Sequence, residues 1–258
     1  MLFWTYLIPL WCLYKLIMEK KRTYTYRIEP YQADLTQRLT LMGLGDYLLT
    51  TASTDAMLQG YGNDMLAPNC GWVILRMGMD IIRLPKQLEH IHIATWVSDV
   101  NRLATTRNFE VFDDQGILIA HASTIWAAID LDTRRTLNLT DYPTYLAAVA
   151  KELTPQTAPP VRLGEPEENA RYTHQVLYSY IDGNGHTYSI NYLRMALDSM
   201  PLESLTAERG VRVDINYVHE TYHGERLTII TDNAPNPLYE IRSESGAVAC
   251  RLRLEWTA

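Results

Sequence analysis

"FEVFDDQGILIAHASTIW" (residues 109–126) and "YEIRSESGAVACRLRLEW" (residues 239–256) align without a gap over eighteen positions. Glu110 faces Glu240, Gly116 faces Gly246 and Trp126 faces Trp256. Each copy reads strand, turn, strand: an aromatic start, a polar "DDQG" or "SESG" turn, then alternation into the tryptophan. Farther upstream, "MDIIRLPKQLEHIHIAT" (79–95) aligns with "INYVHETYHGERLTIIT" (215–231), setting Glu89 against Glu225 and Thr95 against Thr231. Two independent blocks in the same order mark an internal duplication.

Each half opens with a helical pattern. In the second, Ile190, Leu193, Leu197 and Met200 recur at helical spacing up to Pro201, which disfavours helix at the residue before it. In the first, Met42, Leu48, Leu49 and Met57 fall in 39–58 with a blurred period. Only strand-like runs follow: 72–82, 89–99, 105–112 and 117–130, then 211–218, 226–232, 238–242 and 247–256. A short strand, "YTYRI" (24–28) or "YTHQVLY" (172–178), precedes each helix. One helix and an antiparallel meander pack by curling the sheet around the helix's apolar stripe. That is the hotdog arrangement, and two in tandem give an α+β double hotdog.

The boundary between the halves is "KELTPQTAPPVRLGEPEEN" (151–169), with four prolines, several charges and no apolar period. It leaves a first unit over 22–150 and a second over 170–258. The chain has 258 residues, 47% of them hydrophobic, which supports a sizeable core. A net charge of -7 argues against a nucleic-acid binder. Cys12, Cys70 and Cys250 are scattered and form no CxxC, so neither a zinc ribbon nor a disulfide framework is indicated. Free thiols of this kind fit a reducing cytoplasm.

Residues 1–21 form an apolar extension, "MLFWTYLIPLWCLYKLIM", followed by "EKKR". Pro9 and Lys15 interrupt the run, which is at the short limit for a membrane span. Neither a charged n-region nor a small-residue cleavage site flanks it. Two readings stay open: a membrane-associated segment, or residues 1–17 lying ahead of a true start at Met18.

"IDGNGHTYSINYLRMALDSM" (181–200) joins a polar loop to the second helix. Asp182, Asn184 and His186 alternate with glycines, which suits an ordinary turn with a positive φ as well as it suits a site. If Asp34 is aligned with Asp182, Arg38 of the first unit stands where His186 does, and Leu84 stands where Glu220 does. With the resemblance that these residues carry, chemistry is expected in the second unit, and the first is expected to supply an apolar pocket through residues such as Met42, Leu48, Leu49 and Met57.

These residues carry a resemblance. "DGNGHTYSINYL" and "NYVHETYHGERL" in the second half, with "TRNFEVFDDQG" and "STIWAAIDLDTRR" in the first, are similar to the acyl-ACP thioesterases of bacteria and plants. The resemblance covers nearly everything from Arg22 onward. Family members carry Asp-x-Asn-x-His ahead of a helix with an Asn-Tyr or similar pair, and a Glu near the end of the next strand.

The resemblance implies a double hotdog that hydrolyses the thioester between a fatty acyl chain and acyl carrier protein. It implies Glu220 as general base, Asn184 and His186 as donors near the substrate carbonyl, and Asp182 orienting them. Neither cofactor nor metal is required for water to attack a thioester. Some plant relatives have a cysteine directly after the catalytic Glu. Here that residue is Thr221, so direct attack by water is expected in place of an acyl-enzyme. Simple alternation sets Val211, Val213, Ile215 and Tyr217 on one strand face and Glu220 on the other, so a bulge or the strand end must turn it.

An acidic carrier protein calls for a locally basic face, for which "EKKRTYTYR" and "DTRR" (132–135) supply cations. Two rival readings remain: an acyl-CoA thioesterase of the same fold, and a non-catalytic acyl-binding hotdog. Tandem hotdogs also permit a homodimer.

Overall fold

A computed structural model describes residues 20–206 and 209–257. The apolar stretch 1–17 lies outside them, as does Cys12. Among the described residues, ten strands form one antiparallel sheet. The first five are β1 (Arg22–Arg27), β2 (Cys70–Ile81), β3 (His90–Val100), β4 (Thr105–Asp113) and β5 (Leu118–Asp130). The second five are β6 (Ala170–Gln175), β7 (Val211–Tyr217), β8 (Arg226–Thr231), β9 (Leu238–Arg242) and β10 (Val248–Trp256). The order is β1-β3-β4-β5-β2-β7-β10-β9-β8-β6, two copies of one five-stranded pattern back to back. They join where β2 pairs with β7, from Arg76 opposite Asn216 to Ile81 opposite Val211.

Each half-sheet wraps a central helix: α1 (Leu41–Leu58) in the first unit and α3 (Ser189–Leu197) in the second. Thr40 caps α1, its hydroxyl accepting the Gly43 N–H at 3.0 Å. Leu41, Leu44, Leu48, Leu49 and Ala52 are buried, and so are Gly43, Gly45, Thr51 and Asp55. This helix meets its own sheet on one side and α3 on another. That double burial is why its apolar period is blurred in the sequence. Met57, at its last turn, is 64% exposed and so drops out of the expected apolar lining.

The second helix stops short of the Met200 boundary expected from Pro201. Its end tightens instead, with Ser199 and Met200 donating three residues back to Ala196 and Leu197. A further turn, α4 (Leu202–Thr206), follows the proline. The sequence pattern also missed α2 (Pro143–Ala148), a short helix that places its proline in the first turn, where no N–H is required.

Both faces of β7 are buried, although Arg212, Asp214 and Asn216 alternate with its apolar residues. The proline-rich segment explains this, because residues 157–163 lie along the outer face as a strap. Arg212 Nη1 donates to Thr157 Oγ1 at 3.1 Å and to Asp80 at 2.6 Å, and the Asp214 carboxylate accepts from Val161 N–H. Asn216 exchanges two bonds with Leu163 N–H and Val161 C=O. Prolines keep such a strap extended while the polar ladder satisfies its backbone.

At the last turn of α1, Asp55 is 1% exposed. Its carboxylate accepts from Arg107 Nη1 at 2.7 Å, Tyr61 Oη at 2.7 Å and Tyr24 Oη at 3.0 Å. Burial, reinforced by the charge of Asp55, pushes the Tyr24 phenol up to about 12.

Candidate active site

The loop ahead of α3 is a tight turn closed on itself. Asp182 N–H donates to His186 C=O at 2.9 Å, Gly185 N–H returns to Asp182 C=O at 3.0 Å, and Gly185 takes φ +82°. The Asp182 carboxylate accepts from the N–H of Asn184 at 2.8 Å and of His186 at 3.4 Å. The first unit repeats this construction. Asp34 N–H donates to Arg38 C=O at 2.8 Å, Gln37 occupies the left-handed position at φ +61°, and Asp34 Oδ1 accepts the Thr36 N–H at 2.7 Å. The two loops are therefore one structure used twice, and Asp182 plays in the second the backbone-organising part that Asp34 plays in the first.

Glu220 follows the end of β7. Val218 and His219 both donate to the carbonyl of Ala249, at 2.9 and 3.1 Å. Two residues on one strand opposite a single acceptor make a bulge. The bulge slips the alternation by one residue, so Glu220 returns to the phase of Ile215 and Tyr217. This is the turn that simple alternation lacked. The first unit has the same bulge, with Ile82 and Arg83 both donating to Ile119.

Loop and bulge bring His186 Nε2 to 3.5 Å from Glu220 Oε2, each side chain about a quarter exposed, at 26% and 25%. The His186 ring stands edge-on to Tyr222, with centroids 5.2 Å apart. In the first unit the equivalent positions also touch, but there the Arg38 guanidinium donates to the carbonyl of Leu84 at 3.3 Å. One unit therefore holds an imidazole–carboxylate pair where the other holds an arginine on a main-chain oxygen. Asn184 sits exposed at the loop tip, its carboxamide unengaged among the described residues. Among the described residues the Asp182 carboxylate accepts only from backbone N–H groups and bonds neither the His186 ring nor Glu220.

Behind the pair lies a buried hydroxyl network. Thr221 is fully buried, and its Oγ1 lies 2.7 Å from Thr187 Oγ1 and 2.9 Å from Tyr192 Oη. Thr187 N–H also donates to Thr221 C=O at 2.8 Å. Asn191 Nδ2 donates to Tyr180 C=O at 3.1 Å. The Asn-Tyr pair of the helix thus ties the His186 loop to the Glu220 segment from within. Cys250 is buried nearby, and burial pushes its thiol well above the usual range, so it is held as an inert thiol.

Sequence reasoning missed one residue at this site. Arg134, from the turn after β5 in the first unit, makes an ion pair with Glu220 Oε2. Its signal in the sequence was only the charge run "DTRR". No group of three or more His, Cys, Asp or Glu among the described residues is arranged to hold a metal ion. Nor is any described helix long and apolar enough to cross a membrane.

A continuous sheet around two central helices, with a polar pair in one half only, defines a double-hotdog protein with unequal units. The model of the acyl-ACP thioesterase N-terminal domain matches residues 19–144, and that of the C-terminal domain matches residues 164–258. The chain belongs to the acyl-ACP thioesterase family.

A crystal structure of an acyl-ACP thioesterase from Bacteroides thetaiotaomicron superposes with a TM-score of 0.82 at 31% identity, covering 93% of this chain and 99% of that one. The 12:0-ACP thioesterase from Umbellularia californica shares the fold, with a TM-score of 0.77 at 15% identity over 92% of this chain and 97% of that one. Oleoyl-acyl carrier protein thioesterase 2 of Arabidopsis thaliana, a chloroplastic protein, is 24% identical over 81% of this chain and 62% of its own length. The chain thus spans about three-fifths of the length of the curated plant relatives it matches.

Proposed function

We propose that this protein hydrolyses fatty acyl-ACP thioesters to free fatty acid and free carrier. The observation that carries the reading is the His186–Glu220 contact in a unit whose twin has only Arg38 and Leu84 there. Family membership supplies the substrate class. A carboxylate beside an imidazole can orient a water and take its proton. Glu220 is the base in this reading. Water oxygen bonds to the thioester carbon as its proton passes to Glu220. Collapse of the tetrahedral intermediate breaks the C–S bond, and the proton goes on to the leaving sulfur.

The negative charge on the carbonyl oxygen needs donors placed in advance. The open carboxamide of Asn184 and the Nδ1–H of His186, whose Nε2 faces Glu220, fill that part. No side chain caps α3, so its first-turn amides also favour negative charge nearby. Asp182 holds the loop that carries both donors. The acyl chain runs into the first unit, beside the α1 face bearing Met42, Leu48 and Leu49. Acyl carrier protein is the partner, met by cations at this end of the strands such as Arg135.

Turnover of matched acyl-ACP and acyl-CoA tests the reading, alongside Glu220→Gln and His186→Ala. Acyl-ACP should be preferred, and each variant should lose on the order of a hundredfold in kcat. Strong preference for acyl-CoA would transfer the reading to that carrier. Wild-type rates in both variants would remove the mechanism altogether.

A further inference from the structure

We propose that Arg134 is a positioning residue for Glu220, lent to the second unit's site by the first. Strands β5 and β7 both pair antiparallel with β2, so they run parallel to each other and leave the sheet at the same end of the strands. The turn after β5 and the bulge after β7 are thereby neighbours, although Arg134 and Glu220 are 86 residues apart in sequence.

The turn is built to present this side chain. Asp130 Oδ1 accepts from Asp132 N–H at 3.1 Å, Thr133 N–H at 2.7 Å and Thr133 Oγ1 at 2.9 Å. Arg134 N–H donates to Asp130 C=O, and Asp130 N–H to Arg135 C=O, both at 2.9 Å. Arg134 itself is held at φ +58°, a left-handed conformation that a residue other than glycine keeps only where its surroundings impose it.

Arg134 Nη2 and His186 Nε2 both address the same oxygen, Oε2 of Glu220. Oε1 has no hydrogen-bond partner among the described residues. Held at Oε2, the carboxylate keeps one orientation, and Oε1 is left as the atom that takes the proton from water. The proposal rests on Glu220 being the base, and it makes the first unit a contributor to chemistry as well as to acyl binding.

The experiment is steady-state hydrolysis of acyl-ACP by Arg134→Ala, Arg134→Lys and Glu220→Gln. Arg134→Ala should lose about ten- to a hundredfold in kcat, the scale of a misplaced catalytic group, while KM moves less than about threefold. Arg134→Lys should recover part of the loss, because the cation returns without the planar fork. Millimolar guanidinium should restore Arg134→Ala and do nothing for Glu220→Gln. Arg134→Ala at the wild-type kcat beside an inactive Glu220→Gln overturns this proposal alone. A raised KM with unchanged kcat also overturns it, making Arg134 a docking residue. A fully active Glu220→Gln would instead overturn the reading beneath it.

Discussion

Gly45 of α1 meets Ile190 of α3 where the two central helices cross: a Cβ at position 45 would stand 2.7 Å from Ile190 Cδ1. Ile190 lies in the first turn after the His186 loop, so this crossing sets the depth of that loop against the first unit. The atom in the way is the tip of a flexible side chain. An alanine can displace it, and its better helix propensity returns about 1 kcal/mol. Gly45→Ala should therefore unfold within roughly 3 °C of wild type. Gly45→Val adds branched carbons that Ile190 cannot avoid and should cost about 1–3 kcal/mol. It should lose kcat as α3 is pushed away. Thermal unfolding of Gly45→Val with and without Ile190→Ala checks the contact: the truncation should recover stability in the valine background and lose it in the wild type.

The duplication was legible in the sequence because sheet packing repeats side-chain alternation, and alternation survives divergence. Its Glu110/Glu240 and Trp126/Trp256 matches fall on β4, β5, β9 and β10, the strands that build each half-sheet. The phase of Glu220 was not legible, since a bulge is a main-chain event with no residue signature at Val218 or His219. Arg134 was hidden for another reason. It belongs to one unit and acts on the other, and only the β5–β2–β7 order brings them together. Arg212 and Asn216 carry no mark in the sequence of the strap they hold, because its residues lie some fifty positions away.

Asp182 offers a test of acceptor against charge. Its carboxylate receives two backbone N–H groups, as Asp34 does for its own turn in a unit without the imidazole. Accepting a main-chain N–H needs an oxygen and not a full negative charge. Asp182→Asn should keep kcat within about tenfold of wild type, while Asp182→Ala, which frees the loop carrying Asn184 and His186, should fall on the order of a hundredfold. Equal losses in the two variants would mean that the charge itself acts.

Thr221, directly after Glu220, is fully buried. Thr221→Val removes the hydroxyl shared by Thr187 and Tyr192 and leaves two buried groups short of a partner. The expected cost is about 1–3 kcal/mol. That corresponds to a drop of roughly 3–10 °C in unfolding temperature. Thr221→Cys should hydrolyse acyl-ACP without accumulating an acyl-enzyme, so intact-mass spectra taken during turnover should show only the unmodified chain.

Asp46 makes the stability of the fold depend on pH from the helix crossing. Burial raises its carboxyl above the ordinary value of 3.8, against the lowering effects of the Tyr188 hydrogen bond and the Arg194 charge. Its Oδ1 is buried with no hydrogen bond among the described residues. The folded chain therefore holds this proton more tightly than the unfolded chain does. The resulting stabilisation is complete below the unfolded value near 3.8 and is lost as pH rises through the raised folded value. Above that window the charged form of Asp46 must sit where burial disfavours it. Asp46→Asn keeps an oxygen for the Tyr188 hydroxyl and never ionises. Its unfolding temperature should exceed that of wild type at pH 7, and the gap should close as pH falls toward 3.8. Melting curves for both proteins across that window measure the gap directly. A gap that stays constant with pH would assign the effect to packing, and one that widens in acid would reverse the sign of the Asp46 contribution.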